Sequence, residues 1–318
     1  MQGVFLDADT LNPDQLDLSA LRALLPRWQF HGRTAPEQRL ARLAGCQVAI
    51  TNKVVLDAEV LSQAPALRLI CICATGTNNV DLAAARSCGI TVCNVSGYAG
   101  ASVVQHTLAL MLSLATRCHQ YAADVRAGEW SRAGQFCLLT HPVMELAGKT
   151  LGIIGYGHLG QGVAQVAQAL GMQVRVAESL QGRDQPAGRV PLSQLLAEAD
   201  VISLHCPLTT RTERLVNRSF LAQMKPGALL INTARGALVD EPALATALRS
   251  GRLGGAGLDV LSVEPPPADH PLLAADIPNL IITPHNAWIS RECRQRLLDG
   301  VVDNIRQWQA GSPVNVVN

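Results

Sequence analysis

From Val4 to about Val95, short apolar runs alternate with helix-like segments along the chain. The runs are Val4–Leu6, Val48–Ile50, Leu69–Cys73 and Thr91–Cys93, and the segments between them include Pro36–Ala44, Asp57–Gln63 and Asp81–Ser87. This alternation predicts a parallel β-sheet with helical crossovers. It resumes after Thr150 with strands at Leu151–Ile154, Val174–Ala177, Val201–Leu204, Leu229–Asn232, around Ala256–Asp259 and at Leu280–Thr283, six strands that suffice for a doubly wound sheet. Between the two alternating regions the pattern predicts one long helix, about Ser102 to Ala127, stopped by Gly128. Its most apolar part, Thr107–Ala115, is far short of the roughly 20 residues that cross a bilayer, so it is expected as a buried helix and no membrane partner is expected. The stretch Glu129–Thr150 has little periodicity but carries Trp130, Phe136, His141 and Pro142, which suggests a subunit interface. The last periodic segment, about Ser290 to Gln309, places Leu297, Leu298, Val301, Ile305 and Trp308 on one face and is expected to pack back on the first region.

One of these strands ends in a recognisable loop. Leu151-Gly-Ile-Ile is apolar without alternation, as a strand covered on both faces should be, and runs into Gly155-x-Gly157-x-x-Gly160. Val163, Val166, Ala167 and Leu170 follow at helical spacing, so a helix starts near Leu159. Glycines so placed permit a tight turn, close approach of backbone N–H groups to a pyrophosphate, and close packing of helix on strand. The next strand, Gln173–Ala177, ends at Glu178, 178 − 160 = 18 residues past the last glycine. A carboxylate there suits a ribose diol and repels a 2′-phosphate, so NAD is the expected cofactor. Arg183 and Arg189 follow and leave NADP open.

Composition narrows the function classes. The 318 residues are 48% hydrophobic, enough for two cores, and 26 Lys and Arg against 25 Asp and Glu leave a net charge of +1. With charges scattered singly there is no basic stripe for nucleic acid, and the expected partner is a small molecule. The nine cysteines form no C-x-x-C pair and sit mostly among apolar neighbours, as reduced core thiols do. No His/Cys/Asp spacing suggests a metal site. The N-terminus starts a strand pattern rather than a secretory signal, so the expected location is cytoplasmic.

Ligands of parallel sheets bind beyond the C-terminal strand ends, where Arg235, Glu264 and His285 follow the predicted strands. Taken singly, each has a bland reading as a surface charge or a structural histidine. Together with Ala74-Thr-Gly-Thr-Asn-Asn-Val-Asp81, the glycine loop, His205-Cys-Pro-Leu208, Asn232-Thr-Ala-Arg-Gly236, Gly257-Leu-Asp-Val260, Glu264-Pro265 and Pro284-His285, they occur in an order that closely resembles the D-2-hydroxyacid dehydrogenase family over nearly the whole chain. The resemblance implies an α/β fold of two Rossmann-like domains. A doubly wound dinucleotide-binding domain, residues 99–288, is inserted into a smaller flavodoxin-like substrate domain, residues 1–98 and 289–318, with hinge closure between them.

It also implies a site. Arg235 would bind the substrate carboxylate and 2-oxo group, a role suited to paired guanidinium donors. His285 would donate a proton to the carbonyl oxygen as hydride arrives, and Glu264 would hold the imidazole and keep it protonated. The Thr75-Gly76-Thr77 backbone and Trp288 would bind substrate. Gly155, Tyr156, Gly157, His158, Leu159, Gly160, Glu178, His205, Cys206, Pro207, Thr212, Thr233, Ala234, Arg235, Asp259 and His285 would contact the cofactor, Asp259 at the nicotinamide carboxamide. His106, on the long helix, has the bland reading of a hydrogen-bonded core residue.

Within the family, Asn286-Ala-Trp-Ile-Ser290, Gly128-Glu-Trp-Ser131 and Phe136-Cys-Leu138 resemble the hydroxypyruvate reductase (glycerate dehydrogenase) group, and the C-terminal regulatory domain that many phosphoglycerate dehydrogenases carry is not expected. The expected reaction is NADH-dependent reduction of hydroxypyruvate or glyoxylate by a homodimer. Alternatives are a D-lactate or phosphoglycerate type of dehydrogenase, or a non-catalytic NADH-sensing, corepressor-like scaffold. Two departures stand out: Gln105, where many members carry glutamate, and Glu178 in place of the commoner aspartate.

Overall fold

The computed structural model describes residues 1–180 and 188–318. Arg183, one of the two arginines expected to bear on cofactor choice, lies outside the described residues. The chain divides into two compact units, Met1–Ala99 with Trp288–Asn318, and Gly100–Ala287.

The first unit is built on five parallel strands, β1 (Gln2–Phe5), β2 (Arg27–Phe30), β3 (Val48–Thr51), β4 (Leu69–Ile72) and β5 (Thr91–Cys93), in the order β2-β1-β3-β4-β5. Period-two alternation sends Val4, Ala49, Ile70, Ile72 and Val92 into one apolar cluster and Phe5, Val48, Ile50, Leu69 and Cys71 into another. Helix Arg291–Gln309 buries Leu297, Leu298, Val301 and Ile305 in the second cluster, and its first turn is capped by the Ser290 hydroxyl accepting from Cys293 N–H.

The second unit carries seven parallel strands: β6 (Thr150–Ile154), β7 (Gln173–Ala177), β8 (Arg189–Val190), β9 (Val201–Leu204), β10 (Leu229–Asn232), β11 (Gly255–Leu258) and β12 (Leu280–Ile282). Their order is β12-β11-β10-β9-β6-β7-β8, so the strands are added in opposite senses on the two sides of the junction between β6 and β9. That reversal is where a doubly wound sheet opens a crevice at its C-terminal edge.

Two differences from the sequence expectations have identifiable causes. Strands β2 and β8 are edge strands; β2 alternates exposed and half-buried residues and β8 spans two residues, so neither shows the apolar run of an inner strand. The expected long helix is two, Gly100–Thr116 and Cys118–Arg126, broken at Arg117, whose φ is 56°. The Arg117 guanidinium reaches Pro142 O and Gly254 O, both at 3.1 Å, tertiary contacts that override local helix propensity. Beyond the short helix Glu129–Arg132, Phe136 is 89% and Leu139 83% exposed. Among the described residues no helix is long and apolar enough to cross a membrane.

Candidate active site

The reversal point between β6 and β9 is shaped by glycine geometry. Gly155 follows β6 with φ +95°, and a Cβ there would sit 2.4 Å from His205 C and Cys206 N, the backbone leaving β9. A Cβ on Gly160 would lie 2.2 Å from Gly155 O. These two glycines are required by packing. Gly157 is different: a Cβ there meets nothing within 4 Å, and Gly157, as N-cap of helix His158–Ala169, offers no side chain to its first-turn amides. Uncapped amides beside open space fit a dinucleotide pyrophosphate. Glu178, exposed at the end of β7, donates its backbone N–H to Val190 O at 2.9 Å. The Arg189 guanidinium sits 5.9 Å from the centre of the Tyr156 ring.

Across the crevice, His205 is held at Nε2 by the Ser203 hydroxyl at 2.8 Å. Its Nδ1 is buried with no partner among the described residues. Burial lowers the imidazole pKa to about 4, so the ring is neutral, and burial pushes the Cys206 thiol up to about 11. The loop is closed by Thr212, whose hydroxyl donates to Pro207 O at 2.7 Å.

Arg235 is exposed on a turn that Asn232 builds: its Oδ1 accepts from Ala234 N–H at 3.0 Å and its Nδ2 donates to Arg235 O at 2.8 Å. Thr233 is fixed beneath by the Thr107 hydroxyl at 2.9 Å. Asn232 and Thr107, both buried, brace the turn that carries Arg235, a support that the sequence reading did not single out.

Glu264 and His285 are brought together, Oε2 to Nδ1 at 2.6 Å, each with its side chain about one-third exposed (36% and 37%). His285 has φ 52°, a left-handed conformation that a non-glycine residue keeps only when its surroundings impose it. The imposing group is Asp259, 1% exposed, whose Oδ1 accepts from Thr283 Oγ1 (2.6 Å) and Asn286 N–H (2.9 Å) and whose Oδ2 accepts from Ala287 N–H (2.9 Å). Its backbone carbonyl takes His285 N–H at 2.8 Å. With the Thr283 hydroxyl donating to Asp259, His106 Nε2–H, 2.8 Å away, donates a hydrogen bond to the Thr283 oxygen. The Asp259 carboxylate thus spends its acceptor sites on the loop that carries His285, and His106 belongs to the same network.

In the first unit, none of the Thr75, Gly76 and Thr77 amides donates a hydrogen bond among the described residues, while Asn94 Nδ2 and the Thr75 hydroxyl brace the loop from behind. Trp288 packs half-buried against that unit's core. Among the described residues no group of three or more His, Cys, Asp or Glu is placed to hold a metal ion.

Residues 108–287 match the family described as D-isomer specific 2-hydroxyacid dehydrogenase, NAD binding domain. The chain is 45% identical over 314 residues to a glycerate dehydrogenase of Methylorubrum extorquens, covering 99% of this chain and 98% of that one. It is 40% identical to a hydroxypyruvate reductase of Blautia hydrogenotrophica, covering 100% of both. Among solved structures it is similar to a protein from Thermus thermophilus, with TM-score 0.88, 39% identity and full coverage of both chains. It is also similar to an acyclic imino acid reductase in complex with NADPH and D-Arg, with TM-score 0.84, 29% identity and full coverage of both.

Proposed function

The chain belongs to the D-isomer specific 2-hydroxyacid dehydrogenase family and is an oxidoreductase, and from that premise we propose that it reduces hydroxypyruvate, and glyoxylate as a smaller analogue, to D-glycerate and glycolate with NADH. The observation that carries this reading is the 2.6 Å contact of Glu264 with His285 Nδ1 on a loop fixed by buried Asp259. The names of the relatives in Methylorubrum and Blautia favour the same substrate.

The overall change is 2-oxo acid + NADH + H⁺ to 2-hydroxy acid + NAD⁺. When bound, the nicotinamide supplies the hydride that C2 accepts. With Glu264 engaging Nδ1, His285 turns Nε2 to the substrate and delivers its proton to the carbonyl oxygen, which would otherwise become an alkoxide. In the oxidation direction Nε2 takes the proton back. Arg235 pairs with the substrate carboxylate and polarises the carbonyl. Thr75, Gly76 and Thr77 are substrate-binding through their backbone amides, and Trp288 joins them.

The amides of Gly157 to Gly160 hold the pyrophosphate, Glu178 the ribose hydroxyls, and His205, Cys206, Pro207, Thr212, Thr233, Ala234 and Asp259 line or support the rest of the cofactor site. Glu178 favours NAD over NADP. Phe136 and Leu139, exposed in the second unit, suit the face of a homodimer, and nine free thiols suit the cytoplasm.

A panel of 2-oxo acids assayed with NADH and with NADPH tests the proposal. Oxidation of NADH fastest with hydroxypyruvate supports it; no oxidation of either cofactor with any acid removes it.

A further inference from the structure

Beneath the turn that carries Glu264 lies a buried polar cluster with no direct part in the proposed reaction. Glu241, 7% exposed, opens helix Glu241–Arg249, and its carboxylate is met by three donors. Ser262 N–H lies 2.7 Å from Oε1, and the Ser262 hydroxyl and His270 Nε2 lie 2.5 Å and 3.0 Å from Oε2. His270 is 6% exposed, and its Nδ1 accepts from Leu272 N–H at 3.3 Å, so the ring proton sits on Nε2 and points at Glu241.

Two further contacts give this cluster a reach into the site. Leu261 N–H donates to Glu264 Oε1 at 2.9 Å, so the residue next to Ser262 fixes the carboxylate that engages His285. Gly236, next to Arg235, is pressed on the same stretch: a Cβ there would fall 1.9 Å from Leu261 C. The stretch from Leu261 to Glu264 therefore touches the Arg235 turn on one side and is bolted to Glu241 through Ser262.

We infer that Glu241, with Ser262 and His270 as its donors, is the positioning residue that holds Glu264 and Arg235 in register for reduction. This rests on the function proposed above. A carboxylate is needed because all three neighbours donate. An amide of the same shape would turn its NH₂ toward a donor and leave at least one buried group unpaired. A buried charged network is seldom the most stabilising filling for a core, so its use at this turn is explained by geometry rather than by stability alone. Displacement of catalytic groups by as little as about 1 Å can cost on the order of 100-fold in rate.

The test is kcat per NADH-binding site, with sites counted by fluorescence titration, using the best 2-oxo acid of the panel. A merely structural role would lower the number of sites and leave kcat per site alone. Glu264→Gln serves as the control. Glu241→Gln should lower kcat per site roughly tenfold or more, with NADH affinity within about twofold of wild type. His270→Leu should fall with it, whereas His270→Gln, whose Nε2 can reach Glu241 from a similar place, should stay within about threefold of wild type. The His270 pair carries the same comparison if Glu241→Gln yields no folded protein. If Glu264→Gln lowers kcat per site and neither Glu241→Gln nor His270→Leu does, the inference is overturned and the proposed function stands. If Glu264→Gln leaves kcat per site unchanged, the reading of Glu264 falls and the inference with it.

Discussion

Each unit has a parallel sheet whose strand order reverses, and each reversal opens a crevice at the C-terminal strand ends, yet the two crevices are filled in opposite ways. In the first unit, between β1 and β3, Asp7 enters the crevice itself. Its carboxylate accepts from Asn52 N–H at 2.9 Å, Lys53 N–H at 2.6 Å and Val54 N–H at 3.3 Å, and the residue is 4% exposed. Burial raises the Asp7 pKa and the three amides oppose that rise. In the second unit, between β6 and β9, the chain places Gly157 and helix amides that no side chain caps among the described residues. A nest of amides attracts an anion in either case. The chain itself satisfies the first crevice, and the second is the one we propose for a phosphate.

The contrast can be broken at either crevice. The largest effect is expected for Gly157→Ala: φ is −83° and the added methyl meets no protein atom, so the melting temperature should hold while NADH affinity drops about 100-fold, about 2.7 kcal/mol. Equal NADH affinity, measured by titration, would show that the phosphates lie elsewhere.

His205 sharpens the second crevice through pH. Its folded pKa of about 4 lies below the ordinary 6.5, so between those values the unfolded chain takes up a proton that the folded chain does not. Stability should therefore fall as pH drops from about 6.5 toward 4, by about 2–3 kcal/mol from this residue. Urea midpoints at pH 7 and 4.5 should converge for His205→Gln relative to wild type, and an equal loss in both proteins would refute the assignment. The smallest effect is expected for Asp7→Asn, which replaces one acceptor oxygen by a donor. It should cost about 1–2 kcal/mol of stability and leave NADH affinity unchanged. A change in affinity without one in stability would give Asp7 a role in binding.

How much of this was legible in the sequence follows the same division. The glycine loop could be read because packing forces the residue type: at Gly155 and Gly160 nothing larger fits between β6, β9 and the helix. The inner strands could be read from continuous apolar runs such as Leu69–Ile72, buried throughout. Arg235, Glu264 and His285 were legible as strand-end residues in a family order, but the resemblance gave Asp259 a cofactor contact and did not reveal the loop it holds at Thr283, Asn286 and Ala287. Supports that join distant segments left no local signal. Glu241 meets Ser262 and His270 across separations of 21 and 29 residues, and Arg117 breaks a helix by reaching Gly254, 137 residues away. Edge strand β2 was missed because Arg27–Phe30 alternates polar and apolar residues over only four positions instead of forming the apolar run of an inner strand.

The most direct measurement of the central claim is single-turnover oxidation of bound NADH by hydroxypyruvate in His285→Ala. The variant removes the proposed proton donor and leaves the proposed pyrophosphate site untouched, so the rate should fall on the order of 100-fold or more while NADH affinity stays within about twofold. A variant that turns over NADH as fast as wild type, or that loses NADH binding instead, would contradict the account.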